Sequence, residues 1–165
     1  MGNLIFVTHP EVIVDPHLDV RRWRLIAAGL DRMRVFANEP LVSKVTSVWS
    51  STEAKAIEAA GILAARLGLG VNVDEDLGEN DRSATGFLPP DEFENVADAF
   101  FAEPEKSILG WERAIDVQRR GENAVERILA QHGRGDIAMV AHGAIGTLLL
   151  CRYMKIPISR NADQL

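Results

Sequence analysis

Apolar runs bounded by turn residues alternate along this chain with stretches of helical spacing. Residues 3–8, which include Leu4-Ile5-Phe6-Val7-Thr8, read as a short strand. Pro10 and Pro16 mark the loop that follows. From 21 to 38, Leu25, Ala28, Leu30, Met33, Phe36 and Ala37 recur at helical spacing, with Gly29 weakening that helix. Residues 42–49 form a second strand with Val45 and Val48 inward. Ser51-Thr52 caps a helix from Glu53 to Leu67 that stops at Gly68, and Val71–Val73 is a short third strand. Residues 75–90 are a long loop, and loops of that length in a compact domain are often functional. Pro90 opens a helix to Ala102, with Asp91, Glu92 and Glu94 suiting its positive start. A longer helix is expected over 110–132, then a strand over 136–141 and a helix over 144–154.

This order of elements implies an α/β three-layer sandwich with a mainly parallel central sheet. The length, 165 residues, fits a single domain over 1–165 with room for a sizeable core. Apolar residues at 47% and charged residues at 25% describe a packed globular protein. A net charge of −6 argues against non-specific nucleic-acid binding, although scattered basic residues leave a local basic pocket open. Cys151, alone in an apolar run, reads as a small buried hydrophobe and fits a reducing, cytoplasmic setting. Met1-Gly2-Asn3 carries no basic leader, and no apolar stretch reaches the roughly 18 residues of a membrane span, so neither is expected.

Candidate chemistry concentrates at strand ends. The first strand delivers His9, in Thr8-His9-Pro10, and the last delivers His142, in Ala141-His142-Gly143. Carboxyl ends of strands are where ligands bind in open α/β sheets. An imidazole nitrogen can attack phosphorus and hold the phosphoryl group covalently. The sequence has no Gly-x-x-x-x-Gly-Lys-[Ser/Thr] loop, no Gly-x-Gly-x-x-Gly after the first strand, no Gly-x-Ser-x-Gly elbow, and neither paired cysteines nor His-Glu-x-x-His for zinc. Other residues have plainer readings. His17 and His132 are solvated; Phe87, Phe93, Phe100 and Phe101 are core or lid packing; Trp49 and Trp111 are core, while Trp23 shapes the entrance. Glu53, Glu58 and Lys44 read as solvated faces.

The strand-end segments His9, Ser50-Ser51-Thr52-Glu53-Ala54-Lys55-Ala56, the Glu79 loop and His142-Gly143 together resemble the histidine phosphatase superfamily, which includes the phosphoglycerate mutases. The resemblance covers about residues 3–160. It implies a phosphoglycerate mutase-like fold, with His9 as phosphoryl acceptor, Glu79 as acid and base, and His142 stabilising charge. Thr8, Lys55, Arg82 and Gly143 would bind phosphate, and neither metal nor cofactor would be needed. Thr8 and Pro10 stand where the family pattern Arg-His-Gly has arginine and glycine, and Lys55 replaces the arginine of Ser-Ser-x-x-x-Arg-Ala. Arg82 either compensates at the phosphate or pairs with Glu79 or Asp81, and Arg21, Arg22 and Arg24 line the rim. Two readings stay open: a phosphatase acting on a small phosphorylated substrate or a phosphoprotein, and a weak or inactive relative that binds a phospho-ligand or another protein. A mutase is disfavoured, because the short insert between 75 and 110 leaves little to enclose a bisphosphate. Nucleic acid and membrane are not expected partners; a homodimer is compatible with the sequence.

Overall fold

A computed structural model describes residues 2–163; Met1, at the start of the segment read for a leader, lies outside the described residues, as do Gln164 and Leu165. Strands β1 (Leu4–Thr8), β2 (Val45–Ser50), β3 (Val71–Val73) and β4 (Asp136–Ala141) form one sheet. Its order is β1-β4-β2-β3 and every pairing is parallel, so the sheet is more uniform than the mainly parallel one expected. The helices are α1 (Ala27–Phe36), α2 (Ala54–Leu67), α3 (Pro90–Ala102), α4 (Ala114–Gln131) and α5 (Gly143–Met154). No helix among the described residues is long and apolar enough to cross a membrane.

β4 is buried at all six positions, as expected of a central parallel strand covered on both faces. Its side chains alternate between two cores. Ile137, Met139 and Ala141 join α4 and α5 residues such as Val125 and Leu148, while Ala138 and Val140 join α1 and α2 residues such as Met33 and Leu63. Period-2 alternation on one strand therefore divides the molecule into three layers. Two glycines permit close approach. A Cβ on Gly29 would lie 2.6 Å from the Glu11 carbonyl oxygen, and one on Gly146 would lie 2.8 Å from the Phe6 ring. Gly29 thus allows the chain after β1 to cross α1, which explains a residue that weakens the helix.

Several boundaries differ from the pattern. The first helix begins at Ala27, not 21, because Val20–Arg22 forms a separate 3-10 turn and Val12 bridges Leu25. Pro40–Val42 is also a 3-10 turn, so β2 starts at Val45. α2 starts at Ala54, with Glu53 in extended conformation before it. α4 starts at Ala114, because Leu109 and Gly110 both take positive φ and break any helix there. Phe100, Phe101 and Trp111 are buried core residues, as the pattern implied, and Trp49 packs partly buried against them.

Leu63 is fully buried and Leu41 is 60% exposed. Leu63→Ala is expected to cost ~2–5 kcal/mol in urea unfolding, and Leu41→Ala no more than about 0.5 kcal/mol.

Candidate active site

The strand pairing sets the level of the two histidines. Thr8 is paired with Ala141, and the His9 N–H donates to the Ala141 carbonyl at 3.1 Å. The residues that follow these partners, His9 and His142, emerge side by side with ring centroids 5.2 Å apart and an edge-to-face tilt of 68°. On the other flank of β4, Ser50 pairs with Val140, and the Ser51 N–H donates to the Val140 carbonyl. Ser51 therefore leaves the sheet at the same edge.

Half-buried His9 is held by its own neighbour. Its Nδ1 lies 2.8 Å from the Pro10 carbonyl oxygen, which can only accept, so the proton sits on Nδ1 and Nε2 carries the lone pair. Burial lowers its pKa, outweighing the Pro10 hydrogen bond and the nearby carboxylates, so the ring is neutral at neutral pH. Pro10 thus keeps the carbonyl that fixes the tautomer.

His142 is fully buried. Its Nε2 is 2.7 Å from Ser51 Oγ and 3.3 Å from Glu53 Oε1. Burial pushes its pKa down to about 4, against the upward pull of Glu53 and Glu79. The carboxylate beside Nε2 favours the proton there, and Nδ1 has no partner among the described residues. Ser51, His142 and Glu53 do not make a serine-hydrolase triad, because both partners meet the same ring nitrogen.

Glu53 corrects the sequence reading most sharply. It is 5% exposed, not solvated. Its Oε2 accepts from Lys55 Nζ at 2.5 Å and its Oε1 from the Glu79 N–H at 2.9 Å. Burial works against its charge, but His142 when protonated, the Lys55 ammonium and the Glu79 N–H outweigh that and lower its pKa. Lys55 is buried as well and also donates to the Val20 carbonyl at 2.7 Å. Its cation is neutralised inside the wall. Glu58, also read as solvated, is partly buried and accepts from the Leu25 N–H and from Arg24, while Lys44 is exposed as expected.

Glu79 comes from the loop after β3, where it was sought. Its Oε2 accepts from the Ala144 N–H and its Oε1 from the Ile145 N–H, both at 3.1 Å, so its carboxylate caps the start of α5 directly behind Gly143. Helix starts favour anions through free N–H groups and the helix dipole. The backbone of this loop is clamped by Arg120 of α4, whose guanidinium donates to the carbonyls of Asp76, Gly78 and Glu79 and pairs with Glu112.

Arg82 pairs with neither Glu79 nor Asp81. Its guanidinium lies over the rings of Phe93 and Trp111, 5.1 and 5.6 Å from their centroids, and its Nε has no hydrogen-bond partner among the described residues. It lines a cavity of about 860 Å³ that opens onto Glu53 and Glu79. Arg21 is on that wall, paired with Asp19; Arg22 and Arg24 are not among its lining residues, and Arg24 is bound to Glu58. His17 is exposed at the rim, and Trp23 packs 6.1 Å from Phe87. His132 caps the end of α4, its Nε2 3.2 Å from the Gly135 oxygen. No group of three or more His, Cys, Asp or Glu among the described residues is placed to hold a metal ion.

Comparison with known proteins agrees with this architecture. The model of the histidine phosphatase superfamily (branch 1) matches residues 11–163, and the chain belongs to that superfamily. The match begins beyond Thr8-His9-Pro10. Among solved structures, a mycobacterial glucosyl-3-phosphoglycerate phosphatase is similar with a TM-score of 0.83 and 20% identity, over 98% of this chain and 84% of its own. YhfR of Bacillus stearothermophilus has a TM-score of 0.80 and 21% identity, over 97% and 83%. A phosphoserine phosphatase of Entamoeba histolytica, in complex with 3-phosphoglyceric acid, has a TM-score of 0.77 and 15% identity, over 97% and 83%. These likenesses fix the phosphoglycerate mutase-like fold. No curated protein sequence matches the chain.

Two outcomes follow from the buried charges. Glu53→Gln strands the Lys55 ammonium and is expected to cost ~3–5 kcal/mol in denaturant unfolding, whereas the double change Glu53→Leu with Lys55→Met recovers most of that loss. For His142, a lowered pKa means that the unfolded chain binds more protons than the folded one between pH 6.5 and about 4. Stability then falls as the pH drops through that window, by roughly 3 kcal/mol in total. His142→Gln should flatten that part of the curve, with His9 leaving a smaller residue of the same sign.

Proposed function

We propose that this protein is a phosphatase that hydrolyses a phosphate monoester through a phosphohistidine on His9. The observation that carries this reading is a neutral, half-buried imidazole with Nδ1 fixed on the Pro10 carbonyl, at a parallel-strand end, 5.2 Å from a second imidazole. His9 Nε2 forms a bond to phosphorus while the bond from phosphorus to the leaving oxygen breaks. Protonated Glu79 gives its proton to that oxygen. The resulting carboxylate then takes a proton from the water that attacks phosphohistidine, releasing phosphate and restoring His9. The Ala144 and Ile145 N–H groups held by Glu79 in this structure become donors for phosphoryl oxygens once that side chain, protonated, turns to the leaving group. An arriving dianion raises the proton affinity of His142, whose Nδ1 then donates to the same oxygens. Thr8 and Gly143, each next in sequence to one of the two histidines, would complete the phosphate site.

The buried Glu53–Lys55 pair favours a second reading, a phospho-ligand-binding or protein-interaction module with little turnover. Lys55 is neutralised by Glu53 and Arg82 is stacked on aromatic rings. The phosphate would meet fewer free cations than two arginines supply.

Hydrolysis of an aryl phosphate between pH 5 and 7, insensitive to chelator, is expected. His9→Ala should abolish it, and Glu79→Gln should lower kcat by about 10²–10⁴. Thr8→Arg should raise kcat/KM by supplying a phosphate donor. Absence of turnover together with heat protection by vanadate would establish the binding module instead.

A further inference from the structure

Apart from Glu79, the wall of the cavity that opens onto Glu53 and Glu79 has no task in the steps above. Asn80, the residue after Glu79, is 5% exposed and lines the cavity, yet its Nδ2 has no hydrogen-bond partner among the described residues. A buried donor without an acceptor is costly and calls for a partner. Two residues further, Arg82 Nε is in the same condition on the same wall. The Arg82 guanidinium is held in place by Phe93 and Trp111. Two fixed donors therefore follow the proposed acid along the chain and share with it the wall of one cavity.

The charge of the wall narrows the occupant. Seven carboxylates line the cavity against three guanidinium groups. Asp19 is paired with Arg21 and Glu112 with Arg120, while Glu75 and Asp81 have no salt-bridge partner among the described residues. A second negative charge on the substrate would be repelled here, whereas carboxylates readily accept from hydroxyl groups. The volume, about 860 Å³, suits a sugar-sized group.

We propose that this cavity is the leaving-group subsite and that it selects an uncharged, hydroxyl-rich alcohol. Asn80 Nδ2 and Arg82 Nε donate to its oxygens, and the Glu75 and Asp81 carboxylates accept from its hydroxyls. The inference rests on the phosphatase reading for what is cleaved, but its test is made by binding.

Titration calorimetry with glucose 6-phosphate, 3-phosphoglycerate, phosphoethanolamine and inorganic phosphate reads the selection directly. Glucose 6-phosphate should bind about tenfold more tightly than each of the others, the worth of one or two added hydrogen bonds. Asn80→Asp, an isosteric change, and Asn80→Ala should each collapse that ratio toward one, with thermal melting confirming a folded protein. Glu75→Gln with Asp81→Asn should raise the affinity for 3-phosphoglycerate several-fold. Tighter binding of 3-phosphoglycerate or phosphoethanolamine, a ratio unchanged in a folded Asn80 variant, or no binding of any of the four overturns the subsite. If the ratio holds but nothing is turned over, the phosphatase reading falls and the subsite stands. If aryl phosphate is hydrolysed at His9 and the ratio is absent, only the subsite falls.

Discussion

Parallel pairing of β1 with β4 is the constraint from which the site follows. It places Thr8 opposite Ala141, and the next residue on each strand is a histidine. A slip of one residue would send one imidazole to the other face of the sheet, because side chains alternate with period 2. The register is held by two buried cores at once, since β4 sends Ile137 and Met139 to one and Ala138 and Val140 to the other. Neither histidine needs a long side chain or a mobile loop to meet its neighbour.

Around this pair the protein has built a network of opposite charges at low exposure. Glu53 is its hub, touching His142, Lys55 and the backbone of Glu79. Buried ion pairs give little net stability, but losing one partner is expensive. The pair therefore contributes most as a fixture. It ties the start of α2 to the loop after β3, while burial keeps His142 neutral in the resting state against the pull of Glu53.

The sequence revealed the large features because they depend on periodicity. Continuous apolar runs gave the buried parallel strands; the histidines and Ser51 directly follow them, and Glu79 lies on the loop after β3. What it hid depends on tertiary contact. Glu53 belongs to no spacing rule, and an acid one residue before a helix looks solvated until His142 arrives from the end of β4 and Lys55, two residues on, folds back onto it. Its one sequence signal was position, three residues after the carboxyl end of β2. Arg82 was placed on the right loop, but its stacking on Phe93 and Trp111 required the packing of α3 against the segment before α4. The first turn of α4 was lost to positive φ at Leu109 and Gly110, and glycine alone does not announce that a preceding leucine shares it.

Arg120 grips the loop after β3 by main-chain carbonyls, those of Asp76, Gly78 and Glu79. Such a grip is indifferent to the side chains those residues carry. The loop can exchange its outward-facing chemistry, at Glu75 or Asp81, while the carboxylate of Glu79 stays where it is. The position of the Glu79 carboxylate and the character of the cavity wall are thereby set by different parts of the same loop.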